Sequence, residues 1–223
     1  MKLKLKNTVI VLIIVNVIVF ILQGVLGREF TTSFMLVSKD VFQRPWILFT
    51  SMFLHGGPNH LFYNMYALFM FGTLVEQRIG TKRFLIIYLL SGILAALLSI
   101  FFYDSALGAS GAIMGIIGVT IMLFPDMPVL LFFFIPMTMR TAGIIFALMD
   151  ILGIFLPTGI ANLAHLAGLG TGLLYGKYLN NRKSGFQKRF IKNPATRTIN
   201  SGRGFSIELD EDDIDDYLNN GRL

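Results

Sequence analysis

The sequence predicts an all-α membrane protein with six transmembrane helices, and its composition and the spacing of its apolar residues lead to this fold class. Of the 223 residues, 54% are hydrophobic and only 14% are charged, and the mean hydropathy is +0.68. Soluble domains are usually closer to a quarter charged. The apolar residues form six segments, each near or slightly under the ~20 residues that a membrane crossing requires. These segments lie at about 8–26, 60–78, 84–103, 110–124, 139–156 and 160–179.

The positions of lysine and arginine predict the orientation. The first segment follows three lysines and is long for the apolar part of a signal peptide, so we expect a retained span. If the N-terminus is cytoplasmic and the chain crosses six times, the basic clusters fall inside, as is typical of membrane proteins. We therefore expect cytoplasmic N- and C-termini in an integral membrane protein that contacts the lipid bilayer. The net charge of +6 reflects this topology, and we expect no nucleic-acid partner. The clusters are Lys2, Lys4, Lys6; Arg78, Lys82, Arg83; Arg140; and Lys177, Arg182, Lys183, Lys188, Arg189.

The residues outside the six segments fall into three regions. Residues 27–59 are rich in phenylalanine and contain Trp46, which predicts a first outer loop embedded in the outer leaflet. Prolines bracket the short apolar run Val129–Ile135, so we expect a loop on the cytoplasmic side and no seventh crossing. Residues 1–180 are predicted to form one six-span domain. Residues 181–223 are predicted to form a mobile tail, basic and then acidic, with a short helix near Ile214–Leu218.

A serine and a histidine at similar depth indicate a nucleophile and its base. Ser110, in Gly108-Ala109-Ser110-Gly111, begins the fourth segment at its outer end. A serine attacks only when a base removes its proton, and histidine is the usual base. His165 lies near the outer end of the sixth segment. Each residue also has a structural interpretation, since small residues favour close helix packing and a histidine can bond a backbone carbonyl.

Two further patterns support a site at this face. His60 and Asn64 lie one turn apart at the outer end of the second segment, where both side chains would donate to an oxyanion. The alternative is a polar clasp between helices. Glycines spaced by four predict that the fourth and sixth segments pack backbone to backbone, which brings Ser110 towards His165. These glycines are Gly111 and Gly115 on one segment and Gly168 and Gly172 on the other.

The three histidines and Asp150 raise two further possibilities, a zinc site and a catalytic triad. The chain has three histidines, all near the outer face, and three histidines can hold zinc. No His-Glu-x-x-His pattern is present, so we expect no metal and no cofactor. Asp150, inside the fifth segment, would either complete a triad or bond a neighbouring helix. The sequence favours the structural role.

Together these motifs resemble the rhomboid family of intramembrane serine proteases. Its Gly-x-Ser-Gly motif appears at 108–111, its His-x-x-x-Asn motif at 60–64, its Ala-His-x-x-Gly-x-x-x-Gly motif at 164–172 and its Glu-x-x-x-Gly motif at 76–80. The resemblance implies a rhomboid-like bundle with a Ser110–His165 dyad and no aspartate. It also implies an oxyanion hole of His60, Asn64 and the Ser110 amide, and entry of substrate at the fifth span.

The resemblance implies an intramembrane endopeptidase that cleaves single-span transmembrane proteins near the outer membrane face. Two alternatives are a catalytically inactive rhomboid-like binder of transmembrane helices and a transporter. A transporter usually shows repeats or paired broken helices, which this sequence lacks. The chain departs from the family in its first loop, where Trp-Arg is replaced by Trp46-Ile47 and Arg44 lies two residues before the tryptophan.

Overall fold

A computed structural model of the protein describes residues 8–131, 134–156, 159–192, 198–201 and 205–208. The short helix predicted near Ile214–Leu218 lies outside these residues. The helices are α1 Thr8–Phe34, α2 Ile47–Thr50, α3 Pro58–Ala67, α4 Thr73–Ile79, α5 Thr81–Ser99, α6 Ser110–Leu123, α7 Met139–Gly153 and α8 Asn162–Lys192. The strands are β1 Leu36–Val37, β2 Ser105–Ala106, β3 Pro128–Leu131, β4 Ile135–Thr138, β5 Thr198–Ser201 and β6 Phe205–Glu208.

Helical structure lies at each of the six predicted segments. The second segment corresponds to α3 and α4, which are joined without a break by a π-helical stretch, Leu68–Gly72. The others correspond to α1, α5, α6, α7 and α8. By length and apolarity, α1 and α5 are long enough to span a membrane, whereas α6 is a shorter apolar helix. That all six helices cross the membrane stays a prediction.

Several helix boundaries differ from those expected. α1 continues past residue 26 to Phe34, with a kink at Gly27, whose positive φ of 74° suits glycine. α7 ends at Gly153, three residues earlier than expected. α8 continues to Lys192 because the basic residues after 180 are good helix formers and no proline interrupts them before Pro194. The division into a domain of residues 1–180 and a tail stays a prediction.

Helix α6 is the centre of the bundle. Its residues from Gly111 to Thr120 are buried without interruption. α6 packs most extensively against α8, and both helices also contact α5. α1 lies at the outside, with exposed apolar side chains such as Val25, 74% exposed, as expected of a helix that faces lipid. A helix that begins with Ser110 is therefore held on all sides.

Glu76 links three helices at the end of the bundle that is remote from Ser110. It is 1% exposed, and its carboxylate accepts a hydrogen bond from the Val9 backbone N–H at 3.3 Å and one from the Thr81 hydroxyl at 2.8 Å. The Val9 N–H is in the first turn of α1, where backbone donors have no partner within the helix. Gly80, with φ of 82°, turns the chain from α4 into α5. The Glu76–Gly80 pair thus joins three helices.

Short antiparallel ladders replace some of the expected loops. β1, in the first outer loop, pairs with β2, which leads into the Ser110 turn. β3 pairs with β4 in the apolar region around Val129–Ile135, so the described part of that region is a hairpin between α6 and α7 and not a helical span. β5 pairs with β6 in the region that we predicted as a tail.

Candidate active site

Ser110 is fixed at the N-terminus of α6 by the turn that precedes it. Gly108 has a φ of +127°, which a residue with a side chain rarely adopts, and its N–H donates to the Ser51 carbonyl at 2.9 Å. Ala109 is fully buried. The Ser110 backbone N–H lies in the first turn of α6, so it points out of the helix towards the site. The serine thus sits beside a backbone donor on a rigid turn.

His165 lies in the first turn of α8 and contacts this serine directly. The distance between His165 Nε2 and Ser110 Oγ is 2.8 Å, a hydrogen bond between residues 55 apart in sequence. The histidine side chain is 19% exposed. A base at this distance is in position to take the serine proton without a rearrangement.

The glycine faces of α6 and α8 explain why the two side chains meet. A Cβ atom built on Gly168 would lie 2.0 Å from the Gly111 carbonyl oxygen, and one on Gly172 would lie 1.9 Å from the Gly115 oxygen. Real Cβ atoms do not approach oxygen so closely, so only glycine fits at these positions of α8. The backbones are in contact over more than one turn, as helices with small residues can be.

Asp150 of α7 contacts the other nitrogen of the same histidine. Its Oδ1 lies 2.9 Å from His165 Nδ1, and its side chain is only 10% exposed. The contact does join two helices, as the sequence-based structural role requires, but the partner is the base itself. The resemblance implied a dyad without an aspartate, and it gave no reason to expect this contact.

His60 and Asn64, of α3, face the same turn. The Gly56 N–H donates to His60 Nδ1 at 3.3 Å, so the proton of a neutral His60 ring lies on Nε2. That nitrogen lies beside the Gly108 turn, since a Cβ built on Gly108 would be 2.8 Å from it. Asn64 is 7% exposed, and its amide donates to the His60 carbonyl at 2.8 Å. The second amide N–H of Asn64 remains to donate to another group.

His55 lies next to His60, with 5.1 Å between their ring centroids. Burial, and then the nearby His60, lower the pKa of His55 to about 4. Its backbone is held by Gln23 of α1, whose amide oxygen accepts the His55 N–H at 2.9 Å and whose amide nitrogen donates to the His55 carbonyl at 3.2 Å. We did not identify Gln23 from the sequence. Its position inside an apolar span is a usable sequence signal, because a polar residue there needs a hydrogen-bond partner.

A cleft of about 1840 Å³ opens from the site between α3–α4 and α7. Ser110, His165, His60 and Asn64 all line it, and aromatic and apolar side chains form most of its remaining wall. This volume exceeds the roughly 300–1,000 Å³ that is typical of pockets for small molecules. In the described part of the chain, no three His, Asp or Glu side chains are grouped to hold a metal ion.

Arg44 anchors the first outer loop to the end of α1. Its guanidinium donates to the Thr32 carbonyl at 2.9 Å and forms an ion pair with Asp40 at 2.5 Å. Trp46 donates its indole N–H to the Ser33 carbonyl at 3.3 Å. The loop that lacks the Trp-Arg pair is therefore attached by an arginine from two residues earlier.

Comparison with known proteins identifies the family of the chain. The family model "Rhomboid domain" matches residues 43–182, more than half of the chain. The chain belongs to the rhomboid family. It is 34% identical over 186 residues, 78% of its length, to the mitochondrial Rhomboid protein 1 of Saccharomyces cerevisiae. Over 152 residues, 66% of its length, it is 39% identical to the Rhomboid protease GluP of Bacillus subtilis. The rhomboid resemblance drawn from the motifs is confirmed.

The relatives differ from this chain in length and from one another in activity. The chain covers 54% of the yeast rhomboid and 28% of GluP, so it spans about half or less of their length. Over 75 residues, a third of its length, it is 37% identical to a protein of Arabidopsis thaliana named Inactive RHOMBOID-like protein 8, of which it covers 21%. Family membership therefore shows a helical membrane protein related to serine proteases, and the activity of this chain needs a separate argument.

Proposed function

We propose that this rhomboid is an intramembrane serine endopeptidase that cleaves transmembrane-helix substrates near the outer membrane face. The observation that carries the proposal is the 2.8 Å hydrogen bond between Ser110 Oγ and His165 Nε2 within a large apolar cleft. A catalytically inactive binder of helices would not require a nucleophile that is hydrogen-bonded to a base. The intact pair therefore favours catalysis over the inactive alternative.

The chemistry is acyl transfer in two steps. Ser110 Oγ attacks the substrate carbonyl carbon as its proton passes to His165 Nε2, and the resulting tetrahedral oxyanion is held by backbone and side-chain N–H groups. His165 then gives the proton to the leaving amine as the C–N bond breaks. In the second step His165 takes a proton from water, the hydroxide attacks the acyl-enzyme, and Ser110 is released with its proton restored.

The oxyanion hole in this proposal has three donors. They are the Ser110 backbone N–H at the start of α6, His60 Nε2–H and the amide of Asn64. The helix N-terminus adds a favourable dipole for the developing negative charge. All three residues line the cleft, so we expect the carbonyl of a peptide bound beside Ser110 to reach their N–H groups. Removal of one such donor in other enzymes costs about 10²- to 10³-fold in kcat.

The cleft supports the substrate class. It is lined mainly by apolar side chains and runs along α3–α4 and α7, so it suits a hydrophobic segment better than a soluble peptide. We expect single-span membrane proteins as substrates, in which the segment near the outer end unwinds because only an exposed backbone carbonyl can be attacked.

Labelling and cleavage together test this function. The purified protein is treated with a serine-directed fluorophosphonate and, separately, incubated with a panel of single-span membrane proteins whose products are mapped by mass spectrometry. We expect wild type to be labelled and to cleave, and Ser110→Ala to do neither. Ser99→Ala is the matched control, because the Ser99 hydroxyl is buried and bonds the Ala95 carbonyl of its own helix at 2.8 Å. Equal labelling and cleavage by wild type and Ser110→Ala would refute the proposal.

A further inference from the structure

Asp150 is a carboxylate that the proposed chemistry does not yet use. It lies on α7, inside a segment expected to cross the membrane, where a carboxylate is costly unless it is bonded. It is buried, and its Oδ1 is 2.9 Å from His165 Nδ1. Asp150 does not line the cleft. Its contact is therefore with the base and not with the substrate.

The two nitrogens of His165 have different tasks in the proposed chemistry. Nε2 must present a lone pair to the Ser110 hydroxyl, so in the neutral ring the proton must be on Nδ1. A carboxylate that accepts the Nδ1–H favours this tautomer and fixes the orientation of the ring. It also stabilises the imidazolium that forms when Nε2 takes the serine proton. Throughout the step the Nδ1 proton stays on the histidine, and no proton passes to Asp150.

We infer that Asp150 is a positioning residue for His165, so that the site works as a Ser110–His165–Asp150 triad. This inference rests on the proposed protease function. The three side chains come from α6, α8 and α7, and two hydrogen bonds of 2.8 and 2.9 Å connect them in line.

The kinetic test is Asp150→Asn, which keeps the size of the side chain and removes its charge. We expect kcat to fall by at least about 10-fold and by as much as the ~10⁴-fold that the Asp-to-Asn change costs in a Ser-His-Asp triad, while KM changes less than about twofold. Thr171→Val is the control, because it removes a polar group from α8 whose hydroxyl bonds the Ala167 carbonyl at 2.8 Å. A folded Asp150→Asn with wild-type kcat would overturn the inference.

A second measurement does not depend on cleavage. In protein labelled with ¹⁵N-histidine, the ring-nitrogen shifts report which nitrogen carries the proton, and His165→Gln identifies the signals of this residue among the three histidines. We expect the Nδ1–H form of His165 in wild type and a mixture or the Nε2–H form in Asp150→Asn. An unchanged tautomer in the variant would overturn the positioning role.

The two proposals fail in different ways. If Ser110→Ala cleaves as well as wild type, the protease function is wrong whatever Asp150→Asn does. If Ser110→Ala is inactive while Asp150→Asn keeps full kcat and the same tautomer, the protease function stands and only the triad is wrong.

Discussion

At the residue scale, the site consists of polar side chains that form hydrogen bonds with one another inside an apolar bundle. Ser110, His165 and Asp150 lie in the low-dielectric interior of a helical bundle, where a hydrogen bond is stronger and an unpaired group is more costly than in water. Each of the three finds its partner in another of the three. The low-dielectric interior therefore makes any of these side chains costly when it is unpaired, and it strengthens the hydrogen bonds that hold the three in place.

His55 shows the opposite case, because neither ring nitrogen has a hydrogen-bond partner among the described residues and the side chain is 2% exposed. Its pKa is lowered from 6.5 to about 4, so between these pH values the unfolded chain binds a proton that the folded protein does not. The free energy of unfolding therefore falls as the pH drops from 6.5 towards 4, by up to about 1.4 kcal/mol per pH unit for this group. Above pH 6.5 the group contributes no pH dependence.

We predict that His55→Leu flattens this dependence. Leucine cannot be protonated, and it removes no side-chain hydrogen bond of the described structure, so the variant should fold as well as wild type at pH 7.5. The measurement is Tm in detergent micelles at several pH values between 7.5 and 5, where most carboxylates remain ionised. Parallel Tm curves for the two proteins would contradict the prediction.

At the scale of the helices, the contact between α6 and α8 sets the geometry of the site. A Cβ atom at Gly172 would lie 1.9 Å from the Gly115 oxygen, so Gly172→Ala must push the helices apart. We predict a loss of about 1–3 kcal/mol in stability, typical of overpacking. Because Ser110 and His165 sit at the ends of these helices, a shift of about 1 Å should reduce cleavage roughly 100-fold.

Gly170→Ala is the matched control for Gly172→Ala. It lies on the same helix, two residues away, and a Cβ built there meets no atom within 4 Å. Alanine favours helix over glycine by about 1 kcal/mol, so this variant should be slightly more stable and fully active. Thermal unfolding and cleavage rates of both variants test the pair. Equal behaviour of the two would show that the glycine contact does not position the dyad.

The same helices show what the sequence could and could not predict. Long apolar runs located the helices, and four-residue spacing located the glycines that bring α6 against α8. The sequence raised a triad with Asp150 as one alternative but did not select it, because the rotation and depth of α7 depend on packing and on the loop that joins it to α8. The Gln23–His55 pairing was missed for a similar reason, since the partner of a polar residue in a span depends on which helix lies beside it.

At the scale of the whole molecule, Glu76 and the Ser110 site lie at opposite ends of the bundle. The starts of α1 and α5 and the end of α4 meet at Glu76, and Arg78 lies over the Phe124 ring at 5.8 Å, just past the end of α6. Ser110, His165 and His60 lie at the other ends of their helices. In the orientation that we predict from lysine and arginine, the Glu76 end faces the cytoplasm and the site faces outwards.

The absence of cysteine allows a direct test of this orientation. Single cysteines replace the polar residues Gln43 in the first outer loop, Lys82 at the start of α5 and Asp126 between α6 and α7, all exposed. We predict that a membrane-impermeant maleimide labels Gln43→Cys in intact cells and labels Lys82→Cys and Asp126→Cys only after permeabilisation, because the latter two lie at the Glu76 end of the bundle. The cysteine-free parent is the control for background labelling. Labelling of Lys82→Cys in intact cells, or of all three sites alike, would show that the orientation is wrong and that the site faces the cytoplasm or the chain crosses differently.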